Sequence, residues 1–135
     1  MQPLSNPTLW SAYFAIQALA CTLWWALILT DPGVAAVFAA SAKPQDVSML
    51  QSFWLADMVC VIGGSALCAL MLYTGSALRT QALWWTAGSI SFATLYCLVI
   101  WMENPQSVWA CALMVPATLL TLTGAQVLSP AHEAP

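Results

Sequence analysis

Apolar residues run in four long blocks along this chain, and polar residues collect between them. The blocks cover about 8–30, 50–73, 80–101 and 107–128. Each holds about 22 residues, enough for a helix to cross a hydrocarbon core of ~30 Å. Lipid offers no partner to an exposed peptide group, so such a block must form a helix. A strand barrel would need alternating polarity, and none of the blocks alternates. The pattern predicts an all-α fold: an integral membrane four-helix bundle of up-down topology, forming one transmembrane domain over 1–135.

Residues at the block edges carry local signals. Ser48 with Gln51 three positions on fits a capping box for the second helix. Gly75 is placed to stop that helix. Asn104-Pro105 separates the third and fourth helices, with Ser107 as a cap for the fourth. Pro116 predicts a kink in the fourth helix and a carbonyl freed one turn earlier. Most of the eight tryptophans fall near block ends, the aromatic-belt pattern of interfacial anchoring. Segment 32–47 is apolar early and polar late, and reads equally as a surface or re-entrant piece and as a plain loop. Ala40-Ser41-Ala42 mimics a signal cleavage site. However, no Lys or Arg precedes the first block, and the block exceeds the apolar core of a signal peptide, so it is read as retained.

Four spans put 31–49 and 102–106 on one side of the membrane, and both termini with 74–79 on the other. Arg79 then opposes Lys43. The free N-terminal amine and the shortness of the Arg79 turn favour both termini on the cytoplasmic side of a bacterial inner membrane or an equivalent.

Composition agrees with the pattern. Only two basic and five acidic residues occur in 135, and 61% are hydrophobic; a soluble domain carries about a quarter charged residues. Two basic residues cannot neutralise a phosphate backbone, so nucleic acid and polyphosphates are not expected partners. Cys21, Cys60, Cys68, Cys97 and Cys111 lie inside apolar runs without a C-x-x-C pair, and read as small hydrophobes. The one histidine, His132, sits in the tail SPAHEAP, outside every block. No haem, metal or other cofactor is expected.

Asp57 is the acid deep inside a block. A carboxyl there costs up to ~3 kcal/mol on insertion scales, so it should face other helices or a wet cavity. Asp57, Cys60, Gly64 and Cys68 share one helical face of small residues, the type that lets helices approach. Ser89, Phe92, Tyr96 and Glu103 share a face of the third helix, and Tyr13, Gln17, Trp24 and Asp31 one of the first. Counting depth from the shared membrane side puts Asp57 level with Thr22–Trp24, Thr94–Tyr96 and Met114–Pro116. The candidate site is Asp57, Tyr96, Trp24, Thr94 and Met114, with Glu103 at the rim. Asp31 and Asp46 read as loop residues, and Gln17 as interhelical glue.

Three roles for Asp57 stay open. It can hold helices together through Tyr96 or a backbone carbonyl. It can anchor an apolar pocket for a membrane lipid or hydrophobic small molecule. It can carry protons in a small transporter. Acid–base catalysis would need a second tunable group, Tyr96 before Glu103, and binding is expected over catalysis. A second copy of the chain, or a larger membrane complex to which the bundle is an accessory subunit, stands as the protein partner.

The second block reads S-F-W-L-A-D-M-V and runs on to T-G-S at Thr74–Ser76; the fourth opens SVWACALMVP over 107–116; Glu103 ends the third. Over about residues 50–120 this resembles the EXPERA-domain family, four-helix membrane proteins of the sigma-2 receptor and sterol isomerase type. The resemblance implies that Asp57 takes the place of the second-helix acid that contacts a ligand's cation or hydroxyl. The family also carries an acid ending the first helix. Asp31 is the candidate, at a spacing that does not match well. The isomerase branch uses an intramembrane histidine, which this chain lacks, so the resemblance implies binding of a sterol- or isoprenoid-like molecule. Such units also precede catalytic domains in longer lipid-modifying enzymes, but nothing here resembles a nucleotide or S-adenosylmethionine site.

Overall fold

The computed structural model describes residues 6–39, 41 and 43–129. His132, and Ala40 and Ala42 of the cleavage-like triplet, lie outside the described residues. Four helices are long and apolar enough to cross a membrane: α1 (Pro7–Thr30), α3 (Pro44–Thr74), α4 (Arg79–Glu103) and α5 (Pro105–Leu128). A short helix, α2 (Pro32–Phe38), follows α1. The chain is an all-α, multi-pass integral membrane protein.

Proline opens α1, α2, α3 and α5. Its missing N–H costs nothing in a first turn, where that group has no helical acceptor. Side chains serve the remaining donors. Asn6 accepts from the Thr8 N–H at 2.9 Å, and Asn104 from the Gln106 N–H at 3.2 Å. Asp31 accepts from the N–H groups of Gly33 (2.8 Å) and Val34 (3.2 Å). Asp31 thus ends α1 and caps α2, a fuller role than that of a loop residue. Gly75 ends α3 with φ +68°, a left-handed conformation natural to glycine.

The start of α3 departs from expectation. The helix begins at Pro44, with Asp46 in its first turn, so Ser48 and Gln51 lie inside it and form no capping box. An acid in a first turn complements the helix dipole. Gln51 instead donates to the Ile28 carbonyl at 3.4 Å, one of the last carbonyls of α1. Segment 32–47 is therefore mostly helical.

Cross-helix pairs fix the topology. Ser11 meets Ala69, Gln17 meets Ser65, and Trp25 meets Asp57, so α1 and α3 are antiparallel. Trp84 meets Ser129, Thr94 meets Thr118, and Cys111 meets Cys97, which makes α4 and α5 antiparallel. Gly64 and Cys68 lie against Thr86, joining the two pairs through α3 and α4. The two ends of the described chain share one side of the bundle with the 75–78 turn; α2 and Asn104 lie on the other.

Large apolar side chains lie both inside and outside the bundle: Phe14, Ile28, Leu83 and Ile90 are buried. Ile16, Leu95 and Phe92 point outward, while Ser65, Thr86, Thr121 and Gln17 are buried. The interior hydroxyls are matched: Gln17 donates to Ser65 Oγ (3.0 Å) and accepts from Thr121 (3.2 Å), and Tyr13 OH donates to the Ala117 carbonyl (3.1 Å). Gln17 is the interhelical tie expected of it. Beside Pro116, inside α5, Thr94 shares its hydroxyl with Thr118 and the Ile90 carbonyl.

One turn of α3 is not α-helical. Met58–Gly63, directly after Asp57, forms a π turn, which inserts an extra residue into the helical phase. Ser65 Oγ donates to the Val61 carbonyl at 2.6 Å and covers that acceptor while it holds Gln17.

Two glycines mark the tightest seams. A Cβ on Gly64 would fall 2.8 Å from Thr86 Oγ1, and one on Gly124 would fall 2.7 Å from the Trp10 ring. The fused ring is too rigid to bend away. Gly124→Ala is expected to destabilise the bundle by about 1–3 kcal/mol through overpacking, measured as a shift of the unfolding midpoint in detergent.

A candidate ligand-binding site around Asp57

Between the α2 side of the bundle and the Gly64–Thr86 contact lies a cavity of about 590 Å³. Its wall is nearly all apolar. Asp57 is half-buried in that wall and is its carboxylate. Trp25, on α1, donates its indole N–H to Asp57 Oδ2 at 3.1 Å. Asp57 Oδ1 accepts no hydrogen bond, and Asp57 forms no ion pair, among the described residues. A carboxylate in this setting retains a free acceptor facing low-dielectric space, where a donor gains most.

Each wall element has a local origin. Trp25 continues the buried α1 stripe through Gln17 and Cys21 at intervals of one helical turn. Phe38 ends α2 and packs on Trp24, ring centroids 4.8 Å apart. Phe53, on α3, meets Tyr96, on α4, at 4.4 Å. Cys21, Cys60 and Cys97 also line the space as free thiols. No group of three metal-binding side chains occurs among the described residues.

Of the candidate residues, Asp57, Trp24, Tyr96 and Met114 line one cavity. Tyr96 contributes its ring, and the carboxyl bonds Trp25 instead of the Tyr96 hydroxyl. The Trp24 indole N–H is buried with no hydrogen-bond partner among the described residues. Thr94 is not part of the lining, because its hydroxyl turns to the α4–α5 seam. Glu103 ends α4, exposed and outside the lining. Sequence reasoning missed Trp25, which lies about 80° round α1 from Gln17 and off the face assigned to Tyr13, Gln17 and Trp24. It also missed Phe38, whose helix read ambiguously.

The chain matches no protein-family model, no curated protein and no solved structure.

The Trp25–Asp57 bond predicts a measurable coupling. A double-mutant cycle of Trp25→Phe and Asp57→Leu is expected to give about 0.6 kcal/mol between the two sites in detergent unfolding, the average for interhelical hydrogen bonds in membranes.

Proposed function

We propose that this protein binds a sterol- or isoprenoid-like hydrophobic ligand within the membrane, with Asp57 as the polar anchor. The observation that carries this reading is the spare oxygen of Asp57 in the wall of an otherwise apolar cavity. Cavities of this size, mostly apolar with few fixed polar groups, are the usual form of small-molecule sites. The resemblance to EXPERA-domain proteins points the same way, with Asp57 as the ligand-contacting acid. The shortness of the turn carrying Arg79 supports orienting that side to the cytoplasm, in a bacterial inner membrane or an equivalent.

A second reading is favoured by the Trp25 bond: Asp57 is a tie between α1 and α3 and nothing more. The two separate under substitution. Asp57→Leu removes the acceptor and keeps the side chain's bulk. Under the binding reading the variant stays folded and its affinity for farnesol, followed by native mass spectrometry from detergent, falls at least about tenfold, the equivalent of one hydrogen bond. Equal farnesol binding in both proteins supports the tie alone.

A further inference from the structure

The cavity is not closed on its α3–α4 side. Gly64 lies against Thr86 at one end of this seam, and Phe53 stacks on Tyr96 at the other. Thr86 and Tyr96 are ten positions apart, about 15 Å along a helix. Between these closures Val61 and Ile90 pack together in the core, and the less buried lining residues beside them include small side chains: Ala56 and Cys60 on α3, Gly88 and Ser89 on α4. Gly88 is exposed, and a Cβ built on it meets nothing within 4 Å. Trp85 and Phe92, one turn to either side, point outward at 62% and 73% exposure and belong to the same lining. The lining therefore continues from the carboxylate, across a bare glycine, onto the lipid-facing surface.

We infer that this slot is the path of a ligand's tail: the site takes a single-chain amphiphile whose donor headgroup sits at Asp57 and whose chain leaves the bundle over Gly88 between Trp85 and Phe92. The inference rests on the Asp57 site proposed above and adds the shape of its occupant. A compact ligand would need only the chamber. A slot about 15 Å long with no wall at Gly88 admits a chain of any length, since the excess lies in the bilayer. When ionised, Asp57 accepts at its spare oxygen, so the complementary headgroup is a hydrogen-bond donor. A hydroxyl and an ammonium both qualify, and the test carries an arm for each. Gly88 is thus a specificity-determining position: it contributes an absence of side chain where the tail passes.

The test compares geraniol with its longer homologue geranylgeraniol, and geranylamine with geranylgeranylamine, by native mass spectrometry from detergent. Proteins are wild type, Gly88→Ala, Gly88→Phe and Asp57→Leu, with unfolding midpoints to confirm folding. Wild type is expected to bind both lengths, with the preferred pair identifying the headgroup. Gly88→Phe should weaken the long homologue at least about tenfold and the short one no more than about twofold. Gly88→Ala, which adds one methyl to the path, should weaken the long homologue less than Gly88→Phe does. Equal long-chain binding by Gly88→Phe and wild type would overturn the slot, and so would equal loss of both lengths. If geraniol and geranylamine bind alike in wild type and Asp57→Leu, the Asp57 site itself fails and the slot with it. If short-chain binding depends on Asp57 while Gly88→Phe changes nothing, the site stands and the slot alone falls.

Discussion

Hydrocarbon accepts and donates no hydrogen bonds, so each polar group in these helices must be matched inside the protein. That constraint orders the bundle. In the half carrying the chain ends, the matches are dense: Ser11 to the Ala69 carbonyl, Gln17 to Ser65, Tyr13 and Thr121 to the Ala117 carbonyl, and Cys68 beside Thr86. Each joins two helices or covers a carbonyl at a seam. In the opposite half Gln51 reaches the Ile28 carbonyl, Thr94 meets Thr118, and Cys111 meets the Cys97 carbonyl, while Asp57 has one partner and ring pairs line the space between the helices.

Close packing and open space are thus two outcomes of one arrangement. Individual interhelical hydrogen bonds in membranes average only about 0.6 kcal/mol, so several are needed, and they act together with the glycine contacts at Gly64 and Gly124. Once this half is locked, the other half can keep a void without losing the fold. The indole of Trp24 shows the same tolerance: its N–H is the one buried side-chain polar atom without a hydrogen-bond partner among the described residues, and Trp24 lines the cavity.

The spans were legible because length and near-absence of charge leave lipid as the only stable surroundings. Gly75 was legible as a stop because a left-handed residue is needed there. Asp57 was legible as inward-facing from the small residues on its face. The azimuth of its partners was not. Counting residues gives depth along an axis, and Trp24 and Trp25 share a depth while pointing about 100° apart. Helical phase from Gln17 favours Trp24, about 20° away, over Trp25, about 80° away, yet Trp25 is the residue that reaches the carboxyl. Thr94 stands at the right level but spends its hydroxyl on the α5 seam. Glu103 shares a face with Tyr96 yet lies beyond the last turn that borders the cavity. Pro44 reads as a loop residue, because a proline marks a helix start as readily as a break. The π turn leaves no local signature, since it answers to packing between distant segments.

That turn has a mechanical corollary. It makes α3 two rods in series with separate rotational settings. The lower rod is indexed by Gly64 and Cys68 on Thr86, and the upper rod carries the carboxylate. Losing the spare residue would spin the upper rod by about 100° and swing Asp57 off the Trp25 indole. Where the acid faces therefore depends on chain count between 58 and 63 as well as on the side chains that touch it.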